Sequence, residues 1–195
     1  MKNILHVISS AAGSESVTIK LGNAIVEKLE SEYPRSSVKV LDLSKDPFPH
    51  LDSSLIKATR VPGGQDAEVS KRSDDAVSEV LAADIIIVGA PMYNFAIPST
   101  LKGWLDNIVR PGIAFKYDQN GPEGLITGKK VFIAAASGAI YSQGPMKEYD
   151  FTVPYLKAVF GFIGVTDITV VRAEGVNMPG MKVVALQNAI ESIEV

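Results

Sequence analysis

Two stretches of the chain carry residue types that could hold a polar, partly aromatic ligand. The first is Ser9-Ser10-Ala11-Ala12-Gly13-Ser14-Glu15-Ser16, between a short apolar run and a helical one. Hydroxyls and amide N–H groups at a helix start favour an anion, because the first-turn amides lack partners and the helix dipole is positive there. Neither common nucleotide fingerprint is present. No Lys-Ser/Thr follows a glycine, and one glycine cannot make G-x-G-x-x-G. A phosphomonoester held by hydroxyls and amides is the anion that suits the loop. A serine-rich turn with Ser14 or Ser16 as N-cap uses the same residues, so both readings stand at this level.

The second stretch is Pro91-Met92-Tyr93-Asn94-Phe95-Ala96-Ile97-Pro98. Two prolines stiffen its ends, and the residues between them show no apolar period. It follows Ile85-Ile86-Ile87-Val88, an apolar run with the β-branched content of a strand buried on both faces. Open α/β sheets bind ligands at the carboxyl ends of such strands. Two aromatic rings and an amide in that place suit a flat heteroaromatic ligand with hydrogen-bonding edges, such as a flavin. They would equally plug the edge of the sheet.

Strands and helices that would position these loops can be read in order. Asn3 to Ile8 reads as a strand, followed by a helix to about Tyr33 with Val17, Leu21, Ile25 and Leu29 on one face. Ser37 to Leu43 alternates as a second strand. From Asp46 to Gly64 the chain is rich in proline, glycine and polar residues, and reads as a flexible flap with one short helix around Ser53 to Thr59. Ala67 to Ala83 is helical and leads into the central strand. A helix from Ser99 puts Leu101, Trp104, Leu105 and Ile108 on its core face, and an excursion of hairpin type follows to Gly128. Lys130 to Ala136 and Thr166 to Val171 read as strands. Phe151 to Phe162 reads as a helix buried on more than one side, and Val183 to Ile193 as the closing helix. This order makes residues 1–195 a single α/β domain: a flavodoxin-like, doubly wound, five-stranded parallel sheet with helices on both faces.

Composition narrows the function. The 195 residues carry a net charge of -3, with 46% hydrophobic and 21% charged side chains. That balance argues against nucleic acid or an anionic membrane surface as partner. Lys71-Arg72 and Lys129-Lys130 are isolated pairs and read as solvated element ends. With no cysteine there is no disulfide, thiolate nucleophile or cysteine metal site, and no metal is expected. No apolar run spans a bilayer, and the N-terminus enters a strand at once, so a cytoplasmic location is expected. His6 lies within a strand and His50 in a proline-rich loop, which leaves no dedicated acid or base.

The sequence resembles the FMN-dependent NADH:azoreductase family of flavodoxin-like quinone and azo reductases, nearly end to end. The resemblance is carried by Pro91 to Phe95, Asn120 to Lys130, Gly161 to Asp167 and Ala173-Glu174-Gly175. It implies FMN as cofactor, with the phosphate at Ser10 and at Ser14-Glu15-Ser16. It places Met92, Tyr93, Asn94 and Phe95 along the isoalloxazine. The loop after the fourth parallel strand, usually Ser-Arg-Gly-Gly, is here Ala136-Ser137-Gly138-Ala139, without the arginine and one glycine. Arg60, Tyr117 and Phe162 are implied near the substrate. A homodimer with each site shared across the interface is also implied.

The chemistry implied is a two-electron ping-pong cycle. NADH or NADPH gives hydride to flavin N5, and a quinone or azo compound then takes it. Asn94 is the supporting side chain. An FMN-binding one-electron carrier of flavodoxin type would share the fold, and a non-enzymatic FMN-binding module is a further alternative. A phosphorylated receiver domain is excluded, because the positions for its acidic residues hold Ser9-Ser10 and Gly89-Ala90 and the lysine position holds Ser137.

Overall fold

The computed structural model describes all of residues 1–195. The elements in chain order are β1 (Asn3–Ile8), α1 (Val17–Glu32), β2 (Ser37–Asp42), α2 (Ser53–Arg60), α3 (Ala67–Ala82), β3 (Ile85–Pro91) and α4 (Ser99–Ile108). There follow β4 (Phe115–Asp118), β5 (Gly121–Gly124), β6 (Lys130–Ser137), α5 (Val153–Phe162), β7 (Asp167–Glu174) and α6 (Met181–Glu191). Five strands form one parallel sheet in the order β2-β1-β3-β6-β7, and β4 pairs with β5 in a separate antiparallel hairpin. This is the doubly wound, flavodoxin-like arrangement expected from the sequence.

Strand alternation divides the core into two layers. Leu5, Val7, Ile86, Val88, Val131 and Ile133 face one side, under α3, α4 and α5, where Trp104 and Phe160 are fully buried. Ile4, Ile85, Ile87, Phe132 and Ala134 face the other, under the Val17-Leu21-Ile25-Leu29 stripe of α1 and Ala189 of α6. All seven residues of β3 are buried, as its unbroken apolar run requires. The hairpin is tied to the domain by a close backbone approach. A Cβ at Gly124 would overlap the backbone of Ile163 and Gly164, which accounts for glycine in both matching sequence blocks.

His6 is a core residue. Its imidazole is 1% exposed and packs on Gly22 of α1, where any Cβ would collide with its Nε2. Burial without a partner for Nε2 pushes its pKa down to about 4, so the ring is neutral at pH 7.

Three sequence expectations are corrected. The Asp46–Gly64 stretch forms its expected short helix, α2, but is packed on the domain rather than hung as a flap: Asp52 caps α2, Leu55, Ala58 and Thr59 are buried, and Arg60 Nη2 donates to the Asp106 carbonyl at 2.8 Å. The fifth helix starts at Val153, because Asp150 accepts from the amides of Thr152 and Val153 and leaves Phe151 58% exposed. Neither basic pair is merely solvated. Arg72 bridges to Asp46 with its guanidinium over Phe48, and Lys129 donates to the carbonyls of Leu81 and Ala83 at 2.8 and 2.6 Å.

Candidate functional site

The carboxyl edge of the sheet opens between β1 and β3, the point from which the chain winds in both directions and where such sheets take ligands. Three loops meet there. Ser9 Oγ donates to the Gly89 carbonyl at 2.6 Å and so ties the loop after β1 to the end of β3. Ser16 is the N-cap of α1: its Oγ accepts from the Ile19 amide at 3.2 Å and lies 3.1 Å from Thr18 Oγ1. Ser10 Oγ accepts from the Ala12 amide at 3.3 Å and lies 3.4 Å from the Tyr93 hydroxyl. The amides of Ser10, Ala11, Gly13 and Ser14 make no hydrogen bond within the chain. Free amides, the hydroxyls of Ser10, Ser16 and Thr18, and a helix start are the donor set of an anion cradle.

The loop after β3 continues the sheet for one residue, with the Met92 amide donating to the Ala136 carbonyl at 2.8 Å. It then reverses. Tyr93 and Ala96 exchange both backbone hydrogen bonds, at 2.9 and 3.1 Å, around Asn94 (φ 50°) and Phe95 (φ 72°). Two positive φ values between reciprocally bonded residues make a type I′ turn. Asn accepts that conformation readily, whereas Phe95 pays about 1–2 kcal/mol for it. The strain is held by contacts from the loop after β6. The Phe151 amide donates to the Phe95 carbonyl at 3.1 Å, and the rings of Tyr141 and Tyr149 lie 6.2 and 5.6 Å from the Phe95 ring. The amides of Asn94 and Phe95 themselves have no partner in the chain.

A charged cluster fixes that third loop. Arg172 of β7 donates to Asp150 at 2.6 Å and to Glu174 at 3.4 Å. Glu174 in turn accepts from the amides of Tyr141 and Ser142 at 2.8 and 2.9 Å, and from the Ser142 hydroxyl. Both ends of the segment carrying Tyr141 and Tyr149 are thereby anchored to one strand. At its start, Ser137 Oγ donates to the Ala139 carbonyl at 2.8 Å. A Cβ at Gly138 would lie 2.7 Å from Asn177 Nδ2, so the glycine retained here admits Asn177.

Of the expected cofactor residues, Ser10, Glu15, Ser16, Met92, Tyr93, Ala136, Ser137 and Gly138 line one cavity of about 280 Å³. Ser14, Asn94, Phe95 and Ala139 belong to the same loops but flank the cavity rather than line it. Sequence reasoning missed Thr18, Val176, Asn177 and Lys182, which also line it. The last three come from the turn after β7 and the start of α6, which the structure begins at Met181, two residues before the start read from the sequence. The donor set suits FMN: hydroxyls and free amides for a phosphate, and a rigid aromatic turn with free amides for a flat polar ring. No cluster of metal-ligating side chains is present.

The expected substrate residues lie elsewhere in the chain. Arg60 and Phe162 line a cavity of about 270 Å³ between α4 and α5, with Leu105, Val109, Tyr155 and Val159. Tyr117 is 71% exposed and reaches them only through Phe115, whose ring is 5.6 Å from Tyr117 and 4.6 Å from Phe162. None of the three lines the cleft at the sheet edge.

Comparison with known proteins shows the family. A family model of the flavodoxin-like fold matches residues 2–195. The FMN-dependent NADH:quinone oxidoreductase of Herminiimonas arsenicoxydans is 42% identical over 182 residues, covering 91% of this chain and 89% of that protein. The corresponding protein of Ralstonia nicotianae is 44% identical over 192 residues, covering 95% and 92%. Among solved structures, the Bacillus anthracis FMN-dependent NADH-azoreductase in complex with FMN superposes with a TM-score of 0.88 at 28% identity, over 98% of this chain and 95% of that one. An azoreductase from Bacillus anthracis str. Sterne gives 0.87 at 30% identity, over 98% of each chain. The chain therefore belongs to the flavodoxin-like family and, within it, to the FMN-dependent NADH:quinone oxidoreductases.

Proposed function

We propose that the chain is an FMN-dependent NAD(P)H oxidoreductase that reduces quinones and azo compounds in a two-electron ping-pong cycle. The observation that carries this reading is the type I′ turn at Tyr93–Ala96, set beside the serine-rich start of α1. A strained phenylalanine on a free-amide turn, pinned by two tyrosines and a backbone hydrogen bond, is a prebuilt platform for a planar ligand. Bound FMN would supply the redox step, accepting hydride at N5 from the nicotinamide and passing it to the acceptor.

The chain's own residues hold, orient and shield. Ser10, Ser14 and Ser16 form the phosphate end with their hydroxyls and the free amides of the loop, and Glu15 stands beside them. Met92, Tyr93, Asn94 and Phe95 form the ring end, where free amides and the Asn94 side chain stabilise charge developing at the ring's polar edge. The backbone of Ala136 to Ala139 supplies the third wall. Protons for the reduced acceptor come from water, since His6 is buried and neutral.

Arg60, Tyr117 and Phe162 are proposed to meet the acceptor after two copies associate, each copy completing the other's site. The half-buried Tyr155, Val159 and Phe162 around the α4–α5 cavity support such an interface. A cytoplasmic location suits a nicotinamide donor, and no helix is long and apolar enough to cross a membrane. Steady-state turnover tests the reading: NADH varied at several benzoquinone concentrations should give parallel double-reciprocal lines, and FMN omission should abolish the rate. Intersecting lines, or turnover indifferent to FMN, would exclude it.

A further inference from the structure

A cation stands where helix electrostatics disfavours one. Lys182 is the second residue of α6, whose first turn holds no acidic residue and whose N-terminus has Gly180 at φ 74° and no side-chain cap. The positive end of a helix dipole favours carboxylates in that turn and opposes a lysine. A residue that breaks a local rule calls for a compensating gain, and such residues gather at functional sites.

Lys182 has that gain within reach. It lines the same cavity as Ser10 and Ser16, and it is the only cationic side chain that does so. The only acidic one there is Glu15, whose carboxylate is 3.6 Å from Lys182 Nζ. Both partners are largely solvated, so their ion pair contributes little to stability and does not explain the lysine. A phosphomonoester at the cradle carries about 1.5 to 2 negative charges at pH 7. Hydroxyls and amides offer it donors but no net charge, and Glu15 repels it.

We propose that Lys182 is the counter-ion of the cofactor phosphate, exchanging its Glu15 contact for a direct charge-assisted contact when FMN binds. The proposal rests on the FMN reading above and adds a specificity determinant from α6, outside the loops that reading uses. It makes the phosphate, rather than the ring alone, a charged anchor in this chain.

The test is flavin binding by fluorescence quenching, with FMN and riboflavin as separate probes, on wild type, Lys182→Met, Glu15→Gln and the double variant. Wild type should prefer FMN to riboflavin. Lys182→Met should weaken FMN about tenfold and leave riboflavin unchanged. The same loss should persist in the Glu15→Gln background, and FMN affinity should fall less steeply with salt once Lys182 is gone. An unchanged FMN affinity would overturn the proposal. So would a loss that vanishes in the Glu15→Gln background, which would limit Lys182 to neutralising Glu15, or an equal loss for riboflavin. Wild type that binds neither flavin would instead remove the FMN reading on which the proposal stands. Circular dichroism of each variant checks that α6 is intact.

Discussion

The cleft at the sheet edge and the cavity between α4 and α5 are built from opposite materials. The cleft is made of backbone, hydroxyls and a strained turn, and its N-cap, its ladder extension at Met92 and its Arg172 anchor all lie within one chain. The α4–α5 cavity is walled by half-exposed apolar side chains and one arginine already spent on a backbone carbonyl. The first has preformed directional donors and suits a ligand with fixed polar edges. The second has area without direction and suits an apolar occupant, either an acceptor ring or a second copy. The proposed function, with a cofactor that stays and a substrate that leaves, would use this division.

The anchor of the cleft gives the largest expected effect. Asp150→Ala leaves the Arg172 guanidinium without its short contact and the Thr152 and Val153 amides at the start of α5 without their acceptor, and should cost about 3 kcal/mol in urea unfolding. FMN affinity should fall with it, since Phe95 loses its supporting loop. A stability loss without any change in FMN affinity would detach the anchor from the cleft.

A comparable effect, expected in neither site, comes from His6. Its ring stays neutral in the fold down to about pH 4 but takes a proton near 6.5 when unfolded. The unfolded state therefore binds more protons between those values. Stability is full above pH 6.5 and falls by roughly 3 kcal/mol as pH drops toward 4. His6→Gln should flatten that slope in pH-dependent denaturation. A slope untouched by the substitution would place the titration elsewhere.

Phe162→Ala sharpens the division itself. It should raise the quinone KM about tenfold and shift the proposed dimer toward monomer in sedimentation, while FMN affinity holds. Weakened FMN binding would join the two regions into one site. The smallest effect belongs to Ser14, which flanks the cradle without capping α1. Ser14→Ala should weaken FMN by about threefold, whereas Ser16→Ala should also cost about 1 kcal/mol of stability through the lost N-cap.

Much of the scaffold was legible because period and burial agree. The apolar run at Ile85 and the stripe at Val17, Leu21, Ile25 and Leu29 could hardly be other than a central strand and a covering helix. The candidate cleft was legible in its first two loops, where serines and aromatics stand out against the pattern. Its other wall was not. Asn177 and Lys182 come from a distant turn, and only tertiary packing against Gly138 and Glu15 brings them in. The supposed flap at Asp46–Gly64 misled for a related reason. Loop-like composition hid long-range ties, such as Arg60 to Asp106, that no local pattern records.

The most direct measurement is the absorbance spectrum of the protein loaded with FMN as NADH is added without oxygen. The proposed two-electron cycle requires that the flavin bands bleach directly to the two-electron form, and that benzoquinone restores them. Bound FMN that NADH leaves oxidised, or that accumulates a stable half-reduced form with long-wavelength absorbance, would contradict it and favour a one-electron carrier.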